Sequence, residues 1–69
     1  MRYAELVRKL RHLGCEFRRQ AKGSHEIWWQ PSTKKYTTIP RHEGRDIPKA
    51  TLAAVLKDLG LTERDLESL

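Results

Sequence analysis

Two turn-forming stretches divide the middle of the chain into three short segments, and this division limits what the chain can fold into. The turns cover residues 22–24 (KGS) and 31–34 (PSTK), and both are rich in residues that favour turns. The segments beside them have strand composition: residues 15–21, 25–30 and 36–39. Pro40 ends the third segment, because proline cannot donate a hydrogen bond to a sheet. The pattern predicts a three-stranded antiparallel meander.

Two stripes of apolar residues at helical spacing flank this central part. They are Leu6, Val7, Leu10 and Leu13 on one side, and Leu52, Val55, Leu56 and Leu59 on the other. Gly14 and Gly60 follow the stripes, where C-terminal caps are expected. Thr62 then begins a sequence that resembles a capping box, with Asp65 in place of the usual Glu or Gln, which predicts a short third helix.

The order of elements predicts an α+β fold: α-β-β-β-α with a short C-terminal helix, and a three-stranded antiparallel sheet with both main helices on one face. With 69 residues, the chain is too short for a second core. We therefore expect a single domain over residues 1–69.

The assignment of inward faces gives a thin core. In the second strand we expect Trp29 to face inward, so Trp28 would share the open face of the sheet with Tyr36. That aromatic pair either shields the face, forms a platform for an unpaired base, or contacts a partner protein. By the same alternation His25 shares the covered face and must lie at its rim. The full predicted core is Leu6, Leu10, Leu13, Phe17, Ile27, Trp29, Ile39, Leu52, Val55, Leu56 and Leu59.

Composition indicates a soluble cytoplasmic protein. Cys15 is alone, so no internal disulfide is expected, and we predict a reduced, half-buried thiol. No apolar run approaches the roughly 20 residues that span a bilayer, and the first residues lack the apolar stretch of a secretory signal. We expect no membrane association.

Charge favours a polyanionic partner. Fourteen Lys and Arg face nine Asp and Glu, a net charge of +5, which suits nucleic acid or an acidic protein. Basic residues gather where strands meet loops, and Arg19, Lys22, Arg41 and Lys49 are predicted to converge at one end of the sheet, with Lys49 opening a helix N-terminus that could seat a phosphate. An ordinary solvated basic surface remains the alternative.

The histidines differ in what surrounds them. His12 and Cys15 fit no zinc spacing, and there is no Ser-His-Asp pattern, so we expect neither a metal site nor a catalytic triad. His25 instead follows Gly23 and Ser24 among basic residues. Imidazole can take and return a proton near neutral pH, and RNA supplies its own 2'-hydroxyl nucleophile, so a histidine with positive charge around the phosphate contains the minimum parts for cleavage.

Gly23 would let the backbone approach a phosphate, and its N–H and the Ser24 hydroxyl could hold a phosphate oxygen. These residues alone leave catalysis and a purely structural histidine both open, since most histidines at strand starts are not catalytic.

A set of motifs along almost the whole chain resembles the HicA, or YcfA-like, family of toxins, the ribonuclease halves of HicAB toxin-antitoxin modules. The Gly-Ser-His turn combined with Pro-x-His and the helix after it is specific as a set. The matching stretches are residues 13–17, 19–20, 22–25, Pro31, residues 39–40, His42, residues 47–52 and residues 59–61.

The resemblance implies a double-stranded-RNA-binding-like fold and an mRNA interferase that cuts mRNA with no metal or other cofactor. It implies that His25 is the catalytic residue and that a HicB antitoxin binds the toxin and covers the site. His42 matches a position that is often histidine in the family and is a second candidate for RNA contact. Glu26 stands where many members have a second histidine or another polar residue, and it either orients His25 or weakens RNA binding.

Two other functions stay open at this point. One is a non-cutting RNA-binding module that uses Arg and Lys contacts to phosphates and 2'-hydroxyls. The other is a protein-interaction module whose basic surface meets an acidic partner.

Overall fold

A computed structural model describes residues 1–42 and 44–69 of the chain. The predicted order of elements and the antiparallel sheet are confirmed, while the likeness to a double-stranded-RNA-binding domain stays a prediction. The elements are α1 (Tyr3–His12), β1 (Glu16–Gln20), β2 (His25–Gln30), β3 (Lys35–Pro40), α2 (Lys49–Leu59) and α3 (Glu63–Glu67).

The sheet has the strand order β1-β2-β3. Strands β2 and β3 pair without interruption, from Gln30 opposite Lys35 to His25 opposite Pro40. The β1–β2 pairing shifts between Phe17 and Arg19, opposite Trp28 and Ile27. Arg18 is therefore the extra residue of a β-bulge, a feature that bends a strand and increases its twist.

The covered face of the sheet carries Trp28 and Ile39, which are 1% and 0% exposed. Helices α1 and α2 both pack on this face. The buried apolar cluster comprises Leu6, Val7, Leu10, Cys15, Trp28, Ile39, Ile47, Val55, Leu56, Leu59 and Leu66, with Leu13 and Leu52 partly buried against it.

The predicted inward face of β2 was wrong. Trp29 and Ile27 are only partly buried, and Trp29 pairs with Tyr36 on the open face, where the two rings stack with centroids 5.4 Å apart. Trp28 lies in the core instead. Its indole N–H donates to Glu26 Oε1 at 3.0 Å, so the buried ring leaves no unpaired polar group in the interior.

Phe17 was also predicted to be a core residue, and it is 46% exposed. Strand β1 lies at an edge of the sheet, and the Phe17 ring makes a T-shaped contact with the buried Trp28 ring, with centroids 6.1 Å apart and planes at 80°. An edge position leaves one side of such a ring in water.

The chain after the sheet is stabilised by local hydrogen bonds. Gly60 ends α2 in the left-handed conformation, with φ of 71°, which glycine adopts without strain. The predicted capping box is present: the Thr62 side chain accepts from Asp65 N, and the Asp65 carboxylate accepts from Thr62 N at 2.8 Å.

Buried polar groups are paired throughout the described part of the chain. The Thr37 hydroxyl donates to Asp58 Oδ2 at 3.0 Å, and no buried side-chain nitrogen or oxygen in residues 1–42 and 44–69 lacks a hydrogen-bond partner. Burial raises the pKa of the Cys15 thiol. None of the helices that the structure describes is long and apolar enough to cross a membrane.

The two adjacent tryptophans should therefore differ in their contribution to stability. We expect Trp28→Ala to lower the free energy of unfolding by about 3–5 kcal/mol, the usual cost of deleting a large core ring, and Trp29→Ala to lower it by much less. Urea unfolding followed by circular dichroism measures both, and Trp28→Phe is the milder variant if Trp28→Ala does not fold. A larger loss for Trp29→Ala would contradict the assignment of faces.

Candidate functional site

The turn that precedes His25 is held by backbone hydrogen bonds. His25 N–H donates to Lys22 O at 3.3 Å, and Ala21 N–H donates to His25 O at 2.8 Å. Gly23 has φ of +65°, and nothing lies within 4 Å of the place a Cβ would occupy. Glycine suits this position because of its backbone conformation and not because of crowding.

A side chain from β1 braces the same turn. Gln20 Nε2 donates to Gly23 O at 3.0 Å and to His25 O at 3.1 Å. The turn is thus tied to the neighbouring strand at two of its carbonyls. This bracing limits how far the backbone of residues 23–25 can move.

His25 is exposed at the first residue of β2 and lies opposite Pro40. The expectation that it sits at the rim of the covered face was wrong, because the covered face carries Glu26 and Trp28. Alternation along β2 places His25 with Trp29 on the open face. Its imidazole is accessible to solvent while its backbone is fixed.

The loop after β3 lies beside this turn. Arg41 N–H donates to Ser24 O at 2.9 Å, and the loop is further held by His42 N–H to Pro40 O at 3.1 Å and Arg45 N–H to His42 O at 3.2 Å. The backbone of Arg41 therefore contacts the Gly-Ser-His turn directly, while the backbone bonds of His42 lie within its own loop.

A buried carboxylate lies directly after His25. Glu26 is 4% exposed and accepts hydrogen bonds from the Tyr3 hydroxyl and from Trp28 Nε1. Its second oxygen lies 3.9 Å from Arg41 Nη1. Burying a carboxylate is costly unless it is paired, and these three groups supply the pairing. Glu26 therefore ties α1, β2 and the loop after β3 together.

The buried carboxylate and its surroundings change the pKa of the Tyr3 hydroxyl. Burial of the phenol, together with the hydrogen bond to Glu26 and its negative charge, raises the pKa of Tyr3 to about 12, although Arg41 and Arg11 act in the opposite direction. Tyr3 thus remains a neutral donor to Glu26 across the physiological pH range.

The remaining predicted site residues fall into two groups. Lys22, Ser24 and Arg19 are exposed around the turn or on the adjacent strand, and Arg19 pairs opposite Ile27 on the open face. Lys49 opens α2 as expected, but it lines a different pocket, with Lys9, Glu63 and Glu67. Among the described residues, that pocket includes none from the turn, so the convergence of Lys49 with His25 stays a prediction.

A comparison with models of known protein families shows which family the chain belongs to. The model for the HicA toxin of bacterial toxin-antitoxin systems matches residues 3–61, which span α1 to α2 and include the turn, His25 and the loop after β3. The chain belongs to the HicA toxin family. It is therefore a toxin-type component of a toxin-antitoxin module, for which the family implies an antitoxin partner. Searches of curated proteins and of solved structures found no match.

Two features of this HicA family chain escaped prediction from the sequence. One is the burial of Glu26 with Tyr3, and the other is the row that Arg18, Trp29 and Tyr36 form on the open face. A signal for the inward position of Glu26 was present. A four-residue turn over residues 31–34, combined with an inward residue 39, places residues 26 and 28 inward by antiparallel register and Trp29 opposite Tyr36. The position of Arg18 depends in addition on the bulge in β1.

Potential metal ligands are dispersed. In the part of the chain that the structure describes, no group of three or more His, Cys, Asp or Glu side chains is arranged to hold a metal ion.

Stability at alkaline pH should depend on Tyr3. Its pKa is raised from 10.0 to about 12 on folding, so the folded chain holds the phenol proton more tightly, and the stabilisation is complete below pH 10 and lost as pH rises towards 12. We expect urea midpoints to fall more steeply between pH 10 and 12 in the unmodified chain than in Tyr3→Phe. Parallel curves for the two proteins would contradict this prediction.

Proposed function

We propose that this HicA family chain is an mRNA interferase, an endoribonuclease that cuts mRNA without a metal ion, with His25 as a general acid or base. The observation that carries the proposal is that His25 is exposed while its backbone is held by Lys22, Ala21 and Gln20. A fixed backbone with an accessible imidazole is the arrangement that proton transfer to a bound substrate requires.

The proposed reaction uses the nucleophile that RNA carries. The 2'-hydroxyl loses its proton and attacks the adjacent phosphorus, a bond forms between the 2'-oxygen and phosphorus, and the bond from phosphorus to the 5'-oxygen breaks. The 5'-oxygen leaves with a proton as a hydroxyl, and the other product is a 2',3'-cyclic phosphate. His25 accepts the first proton or donates the second.

Positive charge around the turn would stabilise the negative charge that develops on the phosphate during cleavage. Lys22 is exposed within the turn, and Arg41 keeps 53% of its side chain exposed even though it lies near Glu26. In the proposal these cations, with Arg19, bind phosphates, while Gly23 N–H and the Ser24 hydroxyl hold a phosphate oxygen. His42 contacts RNA from the neighbouring loop, and Lys49, at the start of α2, is a further candidate for a phosphate contact.

The partner in this proposal is an antitoxin of the HicB type, which covers His25 and keeps the toxin inactive in the cytoplasm. The exposure of His25 and of the residues around the turn leaves the site open to such a partner. No small-molecule cofactor is proposed.

Removing the imidazole of His25 should strongly slow RNA cleavage. We expect His25→Ala to lower the rate of RNA cleavage by about 10²-fold or more, since a positioned acid or base contributes 10²–10⁴-fold. The assay follows a long RNA in the presence of a chelator, with His12→Ala as the control because His12 lies on α1. Equal cleavage by the wild type and His25→Ala would reject the assignment of His25.

A non-cutting RNA-binding module is the second candidate, and the exposed Arg and Lys around the turn favour binding in either case. In a His25→Ala background we expect RNA affinity to fall steeply as salt rises, and Lys22→Ala to reduce the slope of log affinity against log salt by about 1. Affinity that does not change with salt would favour a module that binds protein alone.

A further inference from the structure

The open face of the sheet carries a row of three side chains that stack across the strands. The Arg18 guanidinium lies over the Trp29 ring, 4.7 Å from its centroid. The Trp29 and Tyr36 rings stack with centroids 5.4 Å apart and an angle of 26° between their planes. The row therefore crosses β1, β2 and β3 and ends at Tyr36.

The outer end of this row is open to solvent. Tyr36 is 48% exposed, more than any apolar residue of the core cluster, whereas Trp29 is partly buried between its neighbours. Tyr36 thus faces water on a sheet surface against which neither main helix packs. An exposed aromatic ring backed by a second ring is a surface on which another flat group can stack.

His25 lies on the same open face as the row, further along β2. Going along β2, Trp29 pairs with Tyr36, Ile27 pairs with Thr38, and His25 pairs with Pro40. At about 3.3 Å per residue, the four residues from Trp29 to His25 cover about 13 Å, which a few linked nucleotides can bridge. Arg19, opposite Ile27, places a cation between the two ends.

We propose that the Arg18–Trp29–Tyr36 row is a subsite that stacks one unpaired base of single-stranded RNA, a few nucleotides from the phosphate that His25 acts on. The subsite deepens the ribonuclease function proposed above and rests on it for the position of the cut. It assigns to the toxin a preference for single-stranded over double-stranded RNA.

The chemistry of the row indicates that its ligand is an unpaired base. Aromatic rings and guanidinium planes stack on unpaired bases of any sequence, and Arg18 and Arg19 add positive charge beside them that complements a phosphate backbone. In a duplex the base faces are already stacked on one another, so they are not available to Tyr36. An acidic protein would pair with the arginines but has no equal need for a flat ring.

The test measures binding without cleavage. The probe is a 2'-O-methyl RNA oligonucleotide, which lacks the 2'-hydroxyl nucleophile, used as a single strand and as a duplex with its complement. Fluorescence anisotropy gives Kd, and quenching of tryptophan fluorescence reports contact with the row, because Trp29 lies on the open face and Trp28 is buried.

We expect Tyr36→Ala to weaken single-strand binding by about 5- to 150-fold, since stacking on an aromatic side chain contributes about 1–3 kcal/mol per base. Tyr36→Phe keeps the ring and should bind like the wild type. Phe17→Ala is the matched control, because Phe17 has a similar exposure of 46% but lies outside the row, and circular dichroism confirms that each variant is folded. Trp29→Phe should remove the quenching.

Several results would overturn the subsite. They are unchanged Kd in Tyr36→Ala, equal affinity for duplex and single strand, or no binding of the single strand at all. A Tyr36→Ala chain that keeps oligonucleotide affinity but loses affinity for the antitoxin would assign the row to the protein partner instead.

The subsite and the ribonuclease function can fail separately. Loss of cleavage in His25→Ala together with unchanged oligonucleotide binding in Tyr36→Ala removes the subsite and leaves the nuclease. Weakened binding in Tyr36→Ala, with no cleavage by the wild type, keeps the subsite and removes the nuclease.

Discussion

The carboxylate of Glu26 is the group on which the rest of the structure depends. A charged side chain that is 4% exposed destabilises a fold unless its oxygens are paired. Here the pairing comes from the Tyr3 hydroxyl, the Trp28 indole and the Arg41 guanidinium. Tyr3 and Trp28 donate hydrogen bonds and Arg41 forms an ion pair. The three partners belong to α1, to β2 itself and to the loop after β3, so one carboxylate connects three parts of the chain.

The position of Glu26 also fixes the orientation of every side chain in β2. Side chains alternate between faces along a strand, so a slip of one residue would exchange the two sets. With Glu26 held on the covered face, Trp28 fills the core and His25 is placed outside with Trp29. Arg41, drawn towards Glu26, also donates its backbone N–H to Ser24 O. The interaction that stabilises the core therefore also positions the turn before His25.

Much of the fold could be predicted because its signals are local. The turns of residues 22–24 and 31–34, the apolar stripes of α1 and α2 and the capping box at Thr62 each act within a few residues, and the structure contains all of them. The motif residues around His25 likewise pointed to the family that the match over residues 3–61 shows.

The faces of β2 could not be predicted by counting apolar residues. Ile27 and Trp29 were predicted to be the inward pair, whereas the observed arrangement places a charged residue, Glu26, on the covered face. What makes that arrangement stable is a set of partners at positions 3 and 41, far away in the sequence, which only the tertiary structure brings together. The surroundings of Lys49 were also beyond prediction from the sequence. Its place at the start of a helix was predicted, but its neighbours Lys9 and Glu63 were not.

The division of β2 into two faces separates stability from function in this small domain. Core substitutions on the Glu26 and Trp28 face change the packing of both helices, whereas His25, Trp29 and Tyr36 lie on the side that the helices leave open. Substitutions on the open face can therefore alter the binding of a substrate or a partner at a small cost in stability. Glu26 is the one residue of the covered face that is linked to both stability and the site. It pairs with Arg41, and the backbone N–H of Arg41 donates to Ser24 O in the turn. A change at Glu26 should for that reason affect the fold and the site together, which distinguishes it from every residue on the open face.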